Sequence, residues 1–341
     1  MKKPFIVVLV LIFILTGTKK VSALEINGYL DNDISIADEK NFGGENKLDL
    51  DLHVKNEGYY FLSSCQVMNQ YGETDTTTLE LNKAYISLYP QWGSFTIGKQ
   101  VVSWGNSYLF SLVDVFNPID IMDPKGERIG VNGIDLKTNI NTTTQFEIVA
   151  FPTAKLTNTN YGAALRTTLG LFDFDVNVLH NNEPDPMIKE RNSYVLDLKG
   201  ELGKSGLGIW SQWGKMQDAD FNGMETEYYN AVIGADYTFS LSEGLYILGE
   251  FFQNDKEVKK NSGFLHVKYS PKNFFSIEGN VLCDLTNNKD LLYYFTIDYD
   301  LNDHIVLSCK YYYFPSGSSI ILENGGTEFY RKWVFGIKTN F

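Results

Sequence analysis

Apolar and polar residues alternate one for one along most of this chain. In "SYVLDLKGEL", Tyr194, Leu196, Leu198 and Leu202 share one face, while Ser193, Asp197, Lys199 and Glu201 take the other. "NKLDLDLHVK" sets Leu48, Leu50, Leu52 and Val54 against Asp49, Asp51, His53 and Lys55. "LFDFDVNV" sets Phe172, Phe174, Val176 and Val178 against Asp173, Asp175 and Asn177. "YYFTIDYDL" sets Tyr293, Phe295, Ile297, Tyr299 and Leu301 against Tyr294, Thr296 and Asp298. A period of two belongs to a β-strand, whose successive side chains point to opposite faces. About eighteen such segments follow one another, beginning near residues 25, 46, 58, 79, 93, 130, 143, 161, 171, 193, 206, 228, 244, 261, 273, 290, 303 and 330. Most are about ten residues long, the length a tilted strand needs to cross a bilayer.

The connections narrow the choice further. The even-numbered ones are tight: "NEG", "PQWG", "NINT", "GLFD", "GKSG", "SLSEG", "SPKN" and "LNDH". The odd-numbered ones read as longer and polar, as in "NNEPDPMIKERN" and "KMQDADFNGMETE". Short turns on one side and long loops on the other mark an outer-membrane barrel, with the turns in the periplasm and the loops outside. A soluble β-sandwich would keep neither this alternation nor such uniform strands. The pattern therefore predicts an all-β chain, a transmembrane antiparallel β-barrel of about 18 strands, with 16 as the alternative count. Its apolar face meets lipid and its polar face a lumen, and barrels of this size enclose a water-filled channel. The 21 Tyr and 23 Phe fit the aromatic girdles at the two membrane interfaces.

The ends agree with export. Lys2 and Lys3, the apolar run Phe5 to Leu15 and the small-residue pattern Val21-Ser22-Ala23 form a secretory signal peptide, residues 1–23, cut after Ala23. The barrel would occupy 24–341. Removing the leader takes Lys2, Lys3, Lys19 and Lys20 from a formal net charge of −13, so the exported chain is still more acidic. That acidity argues against nucleic acid as a partner and suits water and cations. At the other end, Trp333, Phe335, Ile337 and Phe341 alternate with Lys332, Val334, Lys338 and Asn340. A last strand ending in an aromatic residue resembles the signal read by the barrel-insertion machinery, which makes Phe341 the expected assembly signal. Cys65, Cys283 and Cys309 fall on apolar faces of non-adjacent strands. They should be free thiols, since a disulfide needs neighbouring Cα atoms.

One stretch breaks the pattern. Between the fifth and sixth strands, over residues 102–129, the chain loses its alternation and carries Trp104, Tyr108, Leu109, Phe110, Leu112, Val113, Val115, Phe116 and Ile119. Those side chains require burial, and the nearest place is the barrel interior. The third outer loop is thus expected to fold inward and narrow the pore, as it does in general porins. Asp114, Asp120, Asp123, Lys125 and Arg128 would line the constriction. Asp49, Asp51, Lys137, Arg166, Asp197, Lys199 and Asp298, all on polar faces, would line the rest of the pore. Acids outnumber cations there, which predicts mild cation selectivity.

The same region resembles a family. "LNKAYISLYPQWGSFTIGKQVVSWGNS" followed by "VFNPID" is similar to a motif in porin-like barrels of unassigned function, related to alginate-export-type porins, through Asn82, Ala84, Tyr85, Gly98, Lys99, Gln100, Trp104, Gly105, Asn117 and Pro118. The resemblance covers roughly residues 79 to 124 and implies an outer-membrane barrel without naming a cargo. Lys99 replaces the arginine more usual in that motif, keeping the charge without the planar fork. Strict alternation puts Lys99 on the lipid face. Either it snorkels at the rim, or a bulge at Gly98 turns it inward; the bulge is the favoured expectation. A second slip separates Leu79 and Leu81 from Ala84, Ile86 and Leu88.

No catalytic constellation, phosphate loop or metal-ligand spacing appears, and no cofactor is implied. His53, His180, His266 and His304 belong to no triad visible by spacing. The chain reads as a porin passing small hydrophilic solutes or ions. The alternative is an outer-membrane adhesin or structural barrel without a transport role. Expected partners are outer-membrane lipid, the insertion machinery and small hydrophilic solutes or cations. Whether the barrel forms a homo-oligomer stays open.

Overall fold

In a computed structural model of the chain, the described residues are 23–37, 42–72, 75–118, 128–153, 158–203, 205–256, 260–286, 291–314 and 331–341. The expected leader lies outside them except for Ala23, which opens the first strand. Eighteen strands follow in order. The first nine are β1 (Ala23–Ala37), β2 (Phe42–Lys55), β3 (Tyr59–Tyr71), β4 (Thr76–Leu88), β5 (Gly93–Gln100), β6 (Val131–Asn139), β7 (Thr144–Phe151), β8 (Asn160–Leu169) and β9 (Phe172–Asp185). The others are β10 (Ile188–Glu201), β11 (Gly208–Asp220), β12 (Glu225–Phe239), β13 (Leu245–Asn254), β14 (Lys260–Lys272), β15 (Phe275–Asp284), β16 (Leu291–Asn302), β17 (Ile305–Tyr313) and β18 (Arg331–Asn340). Each pairs antiparallel with the next, and β18 returns to β1, with Tyr29 opposite Asn340 and Ala37 opposite Lys332. The sheet is a closed barrel of 18 strands, not 16, in which each strand pairs with two neighbours.

The two faces are inverted relative to a water-soluble protein. Side chains turned outward and exposed are apolar: Ile26, Phe174, Val176, Val178, Leu196, Ile233, Leu265 and Phe335. Those turned inward include buried Asp175, Asn177, Ser193, Asp197, Gln212 and Glu250. An apolar exterior on a closed ladder is what hydrocarbon demands, because the strands pair their backbone N–H and C=O groups with one another. Cys65, Cys283 and Cys309 are free and sit on β3, β15 and β17, none adjacent to another.

The even-numbered connections are tight as expected. That between β8 and β9 has two residues, and Gly170 there takes φ +67, a left-handed conformation that a side chain would oppose. Asn141 Oδ1 closes the β6–β7 turn by accepting the N–H groups of Thr143 and Thr144, both at 2.8 Å. The odd-numbered side corrects the sequence reading. "NNEPDPMIKERN" is not a long loop: β9 runs to Asp185 and β10 begins at Ile188. "KMQDADFNGMETE" likewise becomes strand on both sides of a turn over 221–224, where Asp220 Oδ1 accepts Asn222 N and Met224 N at 2.8 Å. Apolar alternation marks only where lipid touches the wall. The ladder uses backbone groups alone and continues beyond it.

Register explains both irregular spots. The β3–β4 ladder shifts between Ser64 and Cys65, which pair with Lys83 and Leu81, so Asn82 is the extra residue of a bulge. That shift lets Leu79 and Leu81 share the outer face with Ile86 and Leu88 despite their spacing. Around Gly98 the ladders to β4 and β6 run without a shift, so the expected bulge there is absent. Lys99 pairs with Ala84, shares the face of Ile97, and its ammonium reaches the Leu81 carbonyl beside the real bulge. Gly98 instead serves a close approach: φ is +131, and a Cβ there would strike the Ala84 carbonyl and Tyr85.

At the seam, Phe341 N donates to Gly28 O at 2.9 Å and Gly28 N to Phe341 O at 3.0 Å. A Cβ at Gly28 would meet the Phe341 ring and the Asp49 carbonyl, so the missing side chain makes room for the terminal aromatic.

Candidate functional site

Alternation across antiparallel ladders sets inner-face charges side by side. On β6 to β9, Lys137 Nζ lies 3.3 Å from Asp135 and 3.3 Å from Glu147, and Arg166 lies 3.3 Å from Glu147 and 3.5 Å from Asp175. Elsewhere on the inner face Lys268 pairs with Glu278 at 3.2 Å and Lys310 with Asp33 at 3.3 Å. Arg191 of β10 holds Asp218 of β11 through two bonds of 2.6 and 2.9 Å, and Lys256, just past β13, adds a third contact at 3.0 Å. Of the expected pore-lining residues, Lys137 and Arg166 belong to the first network. Asp49 is buried on β2, and Asp51 lies 4.0 Å from His53, whose Nδ1 meets Tyr60 Oη at 2.6 Å. Lys199 is exposed opposite Asp173, and Asp298 is partly buried opposite Ser276 and Ser308. They lie around the whole ring rather than in one cluster.

The connection between β5 and β6 is the longest gap between strands, and residues 101–118 and 128–130 of it are described. Its backbone is tied to inner-face side chains of three strands, and one of its side chains to a fourth. Trp104 Nε1 donates to Glu147 of β7 at 2.7 Å, and Asn106 N donates to Asp197 of β10 at 3.2 Å. Leu112 N donates to Gln212 of β11 at 2.8 Å, whose Nε2 donates in turn to Asp197 at 2.7 Å. Glu250 of β13 accepts three successive main-chain N–H groups, from Tyr108, from Leu109 at 2.8 Å and from Phe110 at 3.1 Å, and also Trp210 Nε1 at 2.9 Å. An irregular backbone away from water must have its donors satisfied, and these carboxylates and amide do that.

Packing matches the hydrogen bonds. Val102, Trp104, Leu112, Val113 and Phe116 form one buried cluster with inner-face Val149, Phe151, Leu179, Val195, Met216 and Val232. Leu109 joins Trp210, Leu248, Phe264, Leu282 and Leu292 in a second. Phe116 meets the Phe151 ring at 4.6 Å and Phe110 stacks on Phe252 at 5.2 Å. The described apolar side chains of the segment are thus covered by apolar positions on the inner face of β7 to β16, and Ile119 lies outside the described residues.

The segment also closes on itself. Asp114 accepts Trp104 N at 2.7 Å and Gly105 N at 3.1 Å, and meets Arg128 at 3.1 Å. Asn117 accepts Val102 N at 2.9 Å and donates to Ile129 O at 2.7 Å, joining the outgoing and returning chain. Gly130 N then donates to the carbonyl of the bulged Asn82 at 2.8 Å. Of the five expected constriction residues, Asp114 and Arg128 therefore meet as a pair, with the Asp114 side chain 2% exposed. Asp120, Asp123 and Lys125 lie outside the described residues.

Sequence reading assigned none of Glu147, Gln212 and Glu250 to the segment. A signal was present: "EIVAF", "IWSQWGKM" and "LGEFFQ" keep apolar residues on the inner phase too, beside a single acid or amide. Such a face is built for a dry neighbour with a few donors.

No protein-family model matches the chain, and no curated protein sequence matches it either. Solved structures do. OccAB4 of Acinetobacter baumannii aligns with a TM-score of 0.64 at 8% identity, over 94% of this chain and 99% of that one. Mutant forms of the Rhodopseudomonas blastica porin align over 94% of this chain and 100% of theirs at 12% identity, with TM-scores of 0.48 and 0.49, too loose to carry weight. At 8% identity the likeness to OccAB4 is one of fold alone.

Proposed function

We propose that this chain is an outer-membrane porin, a water-filled channel for small hydrophilic solutes or ions, without catalytic activity. The observation that carries the reading is the closed ring of 18 strands with an apolar exterior and a charged, ion-paired interior. A lipid-facing outside holds the barrel in a bilayer, and an inside that carries charge is stable only when wet or paired. The segment over 102–129 acts as the constriction. Its ties to Glu147, Asp197, Gln212 and Glu250 support that role, because each bond runs to the inner face. Asp114 and Arg128 hold the segment's shape, and Asp120, Asp123 and Lys125 supply its charge to the pathway. Mild cation selectivity follows from the excess of acids among the inner-face residues.

Kinship with alginate-export-type porins is part of this proposal. It is supported by the parts that Asn82, Trp104 and Asn117 of the shared motif play in anchoring the segment. The insertion machinery recognises the last strand through Phe341, and the leader 1–23 directs export. The test is planar-bilayer recording of the purified barrel, with reversal potentials in a KCl gradient. Ohmic steps with a modest preference for K⁺ are expected. A barrel that inserts but passes no current would favour the adhesin or structural alternative, and an anion preference would remove the cation assignment.

A further inference from the structure

The inner face of β13 to β17 carries a row of aromatic rings that packs against the cluster around Leu109 and yet stays partly exposed. The ladders set Leu248, His266, Asn280, Tyr294 and Tyr312 side by side on five successive strands. Tyr294 and Tyr312 stack at 5.7 Å with planes 25° apart, and Tyr246 meets His266 edge-on at 5.7 Å. Tyr108 of the β5–β6 segment stacks on His266 at 5.3 Å, so the row runs into the proposed constriction. Tyr108, Tyr246, Tyr294 and Tyr312 are partly exposed. Girdle aromatics belong on the other face, where Tyr293, Tyr311 and Trp333 stand.

The adjacent row along the same strands is polar: Tyr246, Lys268, Glu278, Thr296 and Lys310. Lys268 is paired with Glu278 and Lys310 with Asp33, and Tyr246 Oη donates to Asp236 at 2.8 Å. Each ion pair offers a donor and an acceptor together, with its charges largely cancelled.

We infer that this double row is a binding track for a neutral sugar chain, an inference that rests on the channel reading and names its solute class. A pyranose ring has flat C–H faces, slightly positive, which suit the negative face of an aromatic ring. Its hydroxyls lie at the ring edge, each both donor and acceptor, where they meet the paired Lys and Glu or Asp groups. A charged solute would gain little from neutralised pairs, and a purely aromatic solute would leave them unused. A few polar groups beside a largely apolar surface are what orients a small ligand.

The probe is maltohexaose, added during single-channel recording and titrated calorimetrically into the detergent-solubilised barrel. Concentration-dependent current block is expected, with the half-blocking concentration raised about tenfold by Tyr294→Ala or Tyr312→Ala, equivalent to about 1.4 kcal/mol. Tyr312→Phe keeps the ring and should stay within about threefold of the parent, which separates lost stacking from a disturbed wall. Equal block by polyethylene glycol of the same mass, with no response to the alanine variants, would overturn the track. So would block by benzoate but not by the sugar. A barrel that passes no current refutes the channel. In that case calorimetry still decides: heat of maltohexaose binding lost in Tyr294→Ala supports the track, and no heat overturns it.

Discussion

Glu250 should control how firmly the β5–β6 segment stays in place. Its carboxylate takes three successive main-chain N–H groups and the Trp210 indole, in a region where Glu250 itself is 4% exposed. Glu250→Ala removes the acceptor for four donors at once. A buried donor left unsatisfied costs roughly 1–3 kcal/mol. Taking the low end for the three main-chain donors, local closure of residues 107–111 should weaken by about 3 kcal/mol, which is more than a hundredfold in the open population. Opening should stop at the flanking anchors, Asn106 on Asp197 and Leu112 on Gln212, because those bonds are untouched. The reporter is Ser107→Cys, a position 8% exposed, in a background with Cys65, Cys283 and Cys309 replaced by serine. Labelling by a water-soluble maleimide follows the open population when opening is fast. Glu250→Ala should therefore accelerate it about a hundredfold and add open-channel noise. Heat modifiability on electrophoresis should not change, since the ladders are intact. Labelling within about threefold of the parent would refute the clamp.

Three further outcomes follow from the geometry. Met187→Cys, at the β9–β10 turn, should label on intact cells, and Ser205→Cys, at the β10–β11 turn, should not; the reverse pattern would invert the barrel. Phe341→Lys should lower outer-membrane levels, and Gly28→Val should do so as well, because its side chain would occupy the space of the Phe341 ring; normal levels of both variants would remove the seam's role in assembly. The double change Asp120→Asn and Asp123→Asn should lower the K⁺ to Cl⁻ permeability ratio more than Asp49→Asn. Attraction is screened beyond about 8 Å at physiological salt, so only charges at the narrowest point count. An equal effect from Asp49→Asn would place the selectivity elsewhere.

Much of the barrel is legible in the residues because the rule behind it is local. A strand shows its two faces every second residue, so Leu196 against Asp197 already separates the lipid side from the inner side without knowledge of any partner. The tight turns carry their own chemistry, as Gly170 and Asn141 do, and they set successive strands antiparallel. The same locality misled at "NNEPDPMIKERN", where the apolar signal ended but backbone pairing did not. It misled again at Gly98, where the ladder runs on and the bulge falls instead at Asn82.

What the residues by themselves determined, then, is the strand set, its faces and the unsuitability of residues 102–129 for exposure to water. Only the tertiary structure decided what that segment touches. Glu250 meets Tyr108 across 142 positions of chain, and Asp197 meets Asn106 across 91. No periodicity in either stretch encodes the other. A lone acid on an inner face reads the same whether it faces water, a cation or the backbone of a distant loop. The choice is made only when the fold brings side chains of β7, β10, β11 and β13 within hydrogen-bond reach of the segment's N–H groups.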